Sequence, residues 1–482
     1  MSTQNTPRKV DVAILGAGTA GLGARRAAAS AGASVLMIDP GPFGTTCARV
    51  GCMPSKLLIA AADAAHHARK AGMFGVQVPE VTVDGSAVLQ RIQGERDRFV
   101  GFVGDVIDDA REAGELLVGR AKVTAPGRLR VDDTTEVQFD KLVIATGSTP
   151  FVPPPFRGLG DRLITNEEVF ELSELPKSML VVGLGVIGLE LGQAFHRLGV
   201  RTALLGVGGG VGPLSDPAVV AEAKRVFSEE LDIHADYTLH TIEAVPGGVQ
   251  VSFTDSEGNK RDETFERVLM AAGRRPNLNG LGLENLGVAT QPNGRYAIDS
   301  DTLQLADAPA FVAGDVNGLH PLLHEAADDG RLAGANAAHF PDIRAGTRRT
   351  PLAVVFSDPQ IGIVGRGFSA LDNCEAVVGE VDYGNQGRAR VQGVNAGLVR
   401  IYGDKHTGQL LGAELFGPRV EHLSHLLAWS IQQGLTVEQA LQMPFYHPVI
   451  EEGLRTALRD LAANMRHGSP IKCAVSELGP GA

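Results

Sequence analysis

The sequence predicts an α/β chain: two doubly wound modules of one plan, followed by a smaller α+β domain. Three observations predict it. A short apolar strand runs into the glycine fingerprint Gly16-Ala-Gly18-Thr-Ala-Gly21, and the same arrangement returns at Gly183-Leu-Gly185-Val-Ile-Gly188. The strand Lys141–Ile144, leading to Gly147 and Pro150, is echoed nearly position for position by Arg267–Met270, leading to Gly273 and Pro276. Beyond Arg349 the pattern changes to short alternating segments and two helical stretches, which fits a largely antiparallel sheet with helices. At 482 residues, several domains are expected rather than one core.

In the first copy Val10–Leu15 reads as a buried strand, the fingerprint opens an Ala-rich helix to about Ala31, and Ser34–Ile38 is the next strand, ending at Asp39. In such a Rossmann-like unit the glycines permit a tight turn, close approach of backbone to a pyrophosphate and close helix packing. An acid about 20 residues on accepts hydrogen bonds from an adenosine ribose. Residues 1–150 therefore read as a dinucleotide-binding domain on Gly16, Gly18, Gly21 and Asp39. Within it, 86–113 is one long amphipathic helix, 115–139 a small antiparallel insertion, and the proline run 150–155 a boundary.

The second copy, 151–275, has strands at Met179–Val182 and Arg201–Leu205, a helix to about Leu198 between them, and an alternating insertion at 239–265. An internal duplication of a whole module implies two cofactors. Where the first copy ends its strand in Asp39, this one ends in Gly206, followed by Val207 and three glycines. Neither an acid for a ribose hydroxyl nor an arginine for a 2′-phosphate stands there, so NAD and NADP both stay open. A central region, 276–348, holds the strand Ala310–Ala313 ending in Gly314-Asp315 and a helix from Leu322 to Ala338. The last domain, 349–482, has strands at 353–356, 398–402 and 409–415 and helices near 419–433 and 449–465. It carries no nucleotide motif and reads as a dimerisation domain.

A net charge of −12 argues against a nucleic-acid partner or an anionic membrane, since both need clustered positive charge. No apolar run reaches the roughly 18 residues of a membrane span. The polar start, Met1 to Lys9, lacks a signal-peptide pattern, so a cytoplasmic protein is expected. Of the four cysteines, Cys47 and Cys52 stand five apart in Cys47-Ala-Arg-Val-Gly-Cys52-Met-Pro-Ser-Lys56, while Cys374 and Cys473 read as ordinary thiols. Metal sites favour spacers of about two to four residues and a second ligand pair. Neither is evident, so no metal is expected and the redox reading of the pair prevails.

These motifs, taken in order with Ala145-Thr-Gly147, Ala313-Gly314-Asp315 and His447-Pro448…Glu452, resemble the class I flavin-dependent pyridine nucleotide-disulfide oxidoreductases over nearly the whole chain. The resemblance is nearest to the dihydrolipoamide dehydrogenases. It implies FAD on Gly16, Gly18, Gly21, Asp39, Gly147, Gly314 and Asp315, and NAD, with NADP not excluded, on Gly183, Gly185 and Gly188. It further implies a redox disulfide in which Cys47 exchanges with substrate and Cys52 faces the flavin. Lys56 and Glu190 would be an ion pair beside the flavin, and His447 with Glu452 a base dyad acting on the other subunit of a homodimer. The partner would be a small-molecule or protein-bound dithiol or disulfide such as lipoamide. The chain departs from that pattern at Thr45-Thr46, Arg49, Phe445 and Gly206. Reduction of another low-molecular-weight disulfide by NAD(P)H, and a flavoprotein redox sensor, are the other readings.

Physical chemistry adds three expectations. Residues five apart on an ideal helix have Cα atoms roughly 8.5 Å apart, beyond the roughly 4.4–6.8 Å of a disulfide, so the helix carrying the cysteines must be distorted. Cys52, just before Pro54, lies near a helix start, where unpaired amides favour a thiolate. Pro448 suits the first position of a helix with Glu451 and Glu452 in its first turns, and a carboxylate there would fix the His447 tautomer.

Overall fold

The computed structural model describes residues 8–291, 295–371 and 376–467, so Cys374 and Cys473 lie outside the described residues. In chain order its helices are α1 (Thr19–Ser30), α2 (Thr46–Val50), α3 (Cys52–Lys70), α4 (Gly85–Glu112), α5 (Val186–Arg197), α6 (Pro217–Phe227), α7 (Leu323–His339), α8 (Gly387–Gln392), α9 (Val420–Gln432), α10 (Val437–Leu441) and α11 (Glu452–His467). The chain forms two compact units. One gathers 1–54, 92–151 and 274–348, and the other 55–91, 152–273 and 349–482.

The first unit is built on a seven-stranded sheet. Leu116–Val118, Val35–Asp39, Arg8–Leu15, Thr135–Ile144 and Ala310–Val312 run parallel. Both faces of such a sheet are covered, so Val12, Ile14, Leu36, Met37, Val143 and Phe311 are buried, as near-continuous apolar strands require. The expected separate insertion at 115–139 is corrected in two places. Leu116–Val118 joins the parallel sheet, with Met37 opposite Leu116. Thr135–Ile144 is one strand whose first half pairs antiparallel with Arg128–Val131 and whose end pairs parallel with Ala310–Val312. Its burial alternates at the start and becomes complete over Leu142–Ile144, so a single strand carries both patterns.

The second unit holds another parallel sheet, in the order Ile233–His234, Arg201–Leu205, Ser178–Val182, Arg267–Met270, Leu163–Ile164. The expected insertion is a three-stranded antiparallel sheet of Tyr237–Val245, Gly248–Asp255 and Lys260–Phe265. Its C-terminal part is a five-stranded antiparallel sheet, which adds Gln360–Gly365 and Ala376–Asp382 to the strands read from sequence. α11 lies so close to this sheet that a Cβ at Gly379 would meet Ala457 O at 2.2 Å.

The expected helix at 449–465 starts later. α11 opens at Glu452, so Pro448 is not its first residue and Val449–Glu451 precede it. Val449, just before the helix, gives its amide to the carboxylate of Glu452, the helix's first residue, at 3.3 Å.

Candidate active site

The two fingerprints are built alike, contact by contact. Gly16 has φ +108° and Gly183 φ +115°, and a Cβ on either would strike a carbonyl of the neighbouring strand end, Ala145 O at 2.3 Å or Ala271 O at 2.2 Å. A Cβ on Gly21 or Gly188 would lie 2.0 Å or 1.8 Å from the carbonyl of its own first glycine. Between them Gly18 and Gly185 face open space, each as an extended N-cap without a side-chain cap. Two closed positions flank one open position at the positive end of a helix, where no side chain caps the helix among the described residues. That cradle fits a dinucleotide pyrophosphate in both units.

In the first unit Asp39 accepts from the Ala17 amide with Oδ2 and from the Gly41 amide with Oδ1, both at 2.7 Å. The carboxylate thus fixes the fingerprint loop, and it keeps lone pairs for ribose hydroxyls. Gly147 (φ +67°) and Gly314 (φ +77°) end adjacent strands. Beside them Ser148 donates to Asp315 Oδ2 at 2.9 Å and accepts from Arg274 Nε at 2.8 Å. Sequence reasoning missed Ser148 and Arg274. The signal was the duplication itself, since Ser148–Pro150 and Arg274–Pro276, the two echoed segments, pair with each other as a two-stranded ribbon.

Cys47 lies on α2 and Cys52 opens α3, so the expected distortion is a complete break between two helices at Gly51. Gly51 takes φ −131°, ψ −120°, and a Cβ there would sit 3.0 Å from Thr46 O and 3.2 Å from Cys47 Cα. Thr45 caps α2 at a positive φ (φ 61°, ψ 151°), its hydroxyl accepting from the Ala48 amide. Cys47 is half-buried and forms part of the wall of a cavity of about 870 Å³ within this unit, while Cys52 is exposed.

The second unit holds the other predicted pairs. Lys56 Nζ meets Glu190 Oε2 at 2.7 Å, and the buried Glu190 also accepts from the Phe356 amide at 3.0 Å. Lys56 stands 4.5 Å above the Phe356 ring. A buried carboxylate needs such partners, and Phe356, which sequence reasoning did not single out, supplies two of the contacts. His447 Nδ1 lies 3.0 Å from Glu452 Oε2, and Arg455 binds the other oxygen at 3.0 Å. Removal from water alone would raise the Glu452 carboxyl. The His447 and Val449 hydrogen bonds and the charges of His447 and Arg455 overcome this and hold it below the ordinary glutamate range. In the neutral ring with Nδ1–H directed at the carboxylate, Nε2 is the acceptor nitrogen, on a side chain that is 80% exposed.

Residues 10–330 match the family described as pyridine nucleotide-disulphide oxidoreductase, and 352–458 match its dimerisation domain. The chain is 30% identical over 467 residues to dihydrolipoyl dehydrogenase of Halobacterium salinarum, covering 95% of this chain and 97% of that one. It is 32% identical over 472 residues to mercuric reductase of Streptomyces lividans, covering 94% and 97%. Among solved structures, LpdA from Mycobacterium tuberculosis matches with TM-score 0.78 at 26% identity over 94% of this chain and 99% of that one. The flavoprotein disulfide reductase RclA from Escherichia coli shares the fold, with TM-score 0.75 at 23% identity over 93% and 99%. No described helix is long and apolar enough to cross a membrane.

Proposed function

This chain belongs to the pyridine nucleotide-disulphide oxidoreductases, flavoproteins that bind FAD and NAD(P), and on that premise we propose that it oxidises dihydrolipoamide or a close relative to the disulfide with NAD⁺ as acceptor. The observation that carries the reading is the His447–Glu452 pair, a base whose carboxylate holds one nitrogen at 3.0 Å while the other faces out of its own chain. Such a base serves a substrate thiol at the surface of a second copy, in keeping with the dimerisation domain at 352–458.

In this reading residues 1–150 and 276–348 hold FAD, 151–275 hold the nicotinamide cofactor, and 349–482 form the dimer interface. Gly18 and Asp39, with Gly147, Gly314 and Asp315, would seat the flavin nucleotide, and Gly185 the second dinucleotide. When bound, FAD supplies two-electron exchange between a dithiol and a nicotinamide. His447 Nε2 takes the proton of a substrate thiol, and the resulting thiolate attacks Cys47 Sγ in a Cys47–Cys52 disulfide, releasing Cys52 as a thiolate. The second substrate thiol then displaces Cys47 from the mixed disulfide, leaving oxidised substrate and two reduced cysteines. Cys52, first residue of α3, leaves as an anion where helix amides point. Lys56, held by Glu190, contributes a fixed positive charge.

The test is steady-state turnover of the purified flavoprotein with dihydrolipoamide and NAD⁺ or NADP⁺, beside NAD(P)H with a panel of small disulfides. Turnover of dihydrolipoamide with NAD⁺ is expected. A rate only with another disulfide would replace the substrate, and no rate with any would favour a redox sensor.

A further inference from the structure

The second module has no acid on the strand whose end would read a ribose, and its packing explains the absence. A Cβ on the buried Gly206 would lie 2.6 Å from Leu184 Cδ1 and 3.2 Å from Ala235 O. Leu184, the residue after the first fingerprint glycine, is itself buried, so any side chain at 206 would have to displace it. The strand end is closed.

An acid approaches from the next strand instead. Leu204 pairs with Ile233 and Leu205 with His234, and continuing that parallel register sets Gly206 level with Ala235 and Val207 level with Asp236. Gly206 N donates to His234 O at 2.7 Å and Gly209 N to Ala235 O at 3.0 Å, so the glycine loop lies back along 234–236. Asp236 Oδ1 accepts from the Gly208 amide at 3.2 Å and from the Tyr237 amide at 3.1 Å. The residue is exposed, and its Oδ2 accepts no hydrogen bond among the described residues.

The two cofactors ask different things of such a loop. A 2′-phosphate needs amide donors or a guanidinium, and the amides of Gly206, Gly208, Gly209 and Gly212 are already committed to protein acceptors. Lys224 Nζ, 3.4 Å from where a Gly209 Cβ would stand, offers a point charge there, set against the charge of Asp236. A ribose hydroxyl needs one acceptor, and Oδ2 supplies it.

We propose that Asp236 determines the specificity of the second module: its Oδ2 accepts from the adenosine ribose 2′-hydroxyl of NAD(H), and its charge rejects the 2′-phosphate of NADP(H). This deepens the reading of the previous section. It rests on 151–275 holding the nicotinamide cofactor and not on which dithiol is oxidised.

The test reads binding rather than turnover. Titration calorimetry on the oxidised holoenzyme compares ADP-ribose with 2′-phospho-ADP-ribose, which carry the recognised half of each cofactor and no nicotinamide. ADP-ribose should bind at least about tenfold tighter, the size of one charge-assisted hydrogen bond. Asp236→Asn keeps a carbonyl for the Gly208 amide and removes the charge, so the preference should shrink about tenfold, in part through tighter binding of the phosphorylated ligand. Asp236→Ala should shrink it as well. Equal affinities in the wild type, or a preference for the phosphorylated ligand, would overturn the proposal. So would a purely structural pattern, in which Asp236→Ala weakens both ligands alike and Asp236→Asn weakens neither. Binding of neither ligand would remove the nicotinamide reading of 151–275 together with the proposal. A preserved ratio in an enzyme that turns over no dithiol would remove the substrate reading and leave Asp236 standing.

Discussion

The two dinucleotide modules share every backbone contact of their fingerprints and differ one strand later. In the first, Asp39 closes the strand and ties the loop through two 2.7 Å hydrogen bonds. In the second, Gly206 holds the same place, and a side chain there would collide with Leu184, whose Cδ1 would lie 2.6 Å from its Cβ. The loop beyond is instead tied from outside, by Asp236 accepting from the Gly208 amide at 3.2 Å, with Lys224 Nζ 3.4 Å from where a Gly209 Cβ would stand. The difference teaches that the closed positions of each fingerprint are held by backbone packing, whereas the loop after the following strand is tied by side chains that differ between the two copies. The first module also runs on into the cysteine motif, and the second does not.

The heaviest blow to this asymmetry is Cys52→Ser, which removes the sulfur chemistry that only the first module carries. Turnover with any disulfide or dithiol should fall more than about a thousandfold in a steady-state assay, while the bound flavin is retained. Next come the second module's glycines. Gly188→Ala should lower unfolding free energy by about 1–3 kcal/mol through the clash with Gly183 O. Gly185→Ala, which meets nothing, should leave stability within about 0.5 kcal/mol and weaken only dinucleotide binding, as titration calorimetry would read. Equal destabilisation by both would refute the division into closed and open positions.

Acid should also tell the modules apart. At the end of α5 the buried Arg197 binds Glu230, Asp63 and Asp358, whereas Arg25 of α1 pairs with Glu115. Burial alone would raise Glu230, but hydrogen bonds from His66, Arg197 and Gln193 and the charge of Arg197 hold it far below its ordinary value of 4.5. A depressed carboxylate contributes stability that is complete above 4.5 and is lost as pH falls below it. Asp63 does not add to this, since burial pushes its carboxyl up despite Arg197. Thermal unfolding followed from pH 7 to pH 3 should therefore show the loss in wild type and a flatter profile in Glu230→Gln. The smallest effect is expected at Lys224→Ala, which should reduce kcat/KM for NADP⁺ relative to NAD⁺ by a factor of about two to five, the range of an exposed ion pair.

What the sequence disclosed follows from how local each cause is. Glycine spacing, the strand before it and the acid after it are all decided within one βαβ unit, so both modules were readable. The Cys47–Cys52 break could be anticipated because helix geometry and disulfide reach conflict over five residues. Less was readable where partners are distant. Phe356 reaches Glu190 across more than a hundred residues of chain, and Thr135–Ile144 changes partners midway along its length. Pro448 looked like a helix start because its fixed backbone angle suits one, but the helix begins four residues later, at Glu452.

The outward-facing imidazole of His447 has a genetic consequence. If each catalytic centre takes its sulfur from one chain and its base from the other, Cys52→Ser and His447→Gln chains are both dead alone, yet a mixed pair contains one centre with every part intact. Unfolding the two variants together and letting them reassort at random should revive about a quarter of the centres, because half the pairs are mixed and each has one good centre. Silence from such a mixture would mean that the base and the sulfur it serves belong to the same polypeptide.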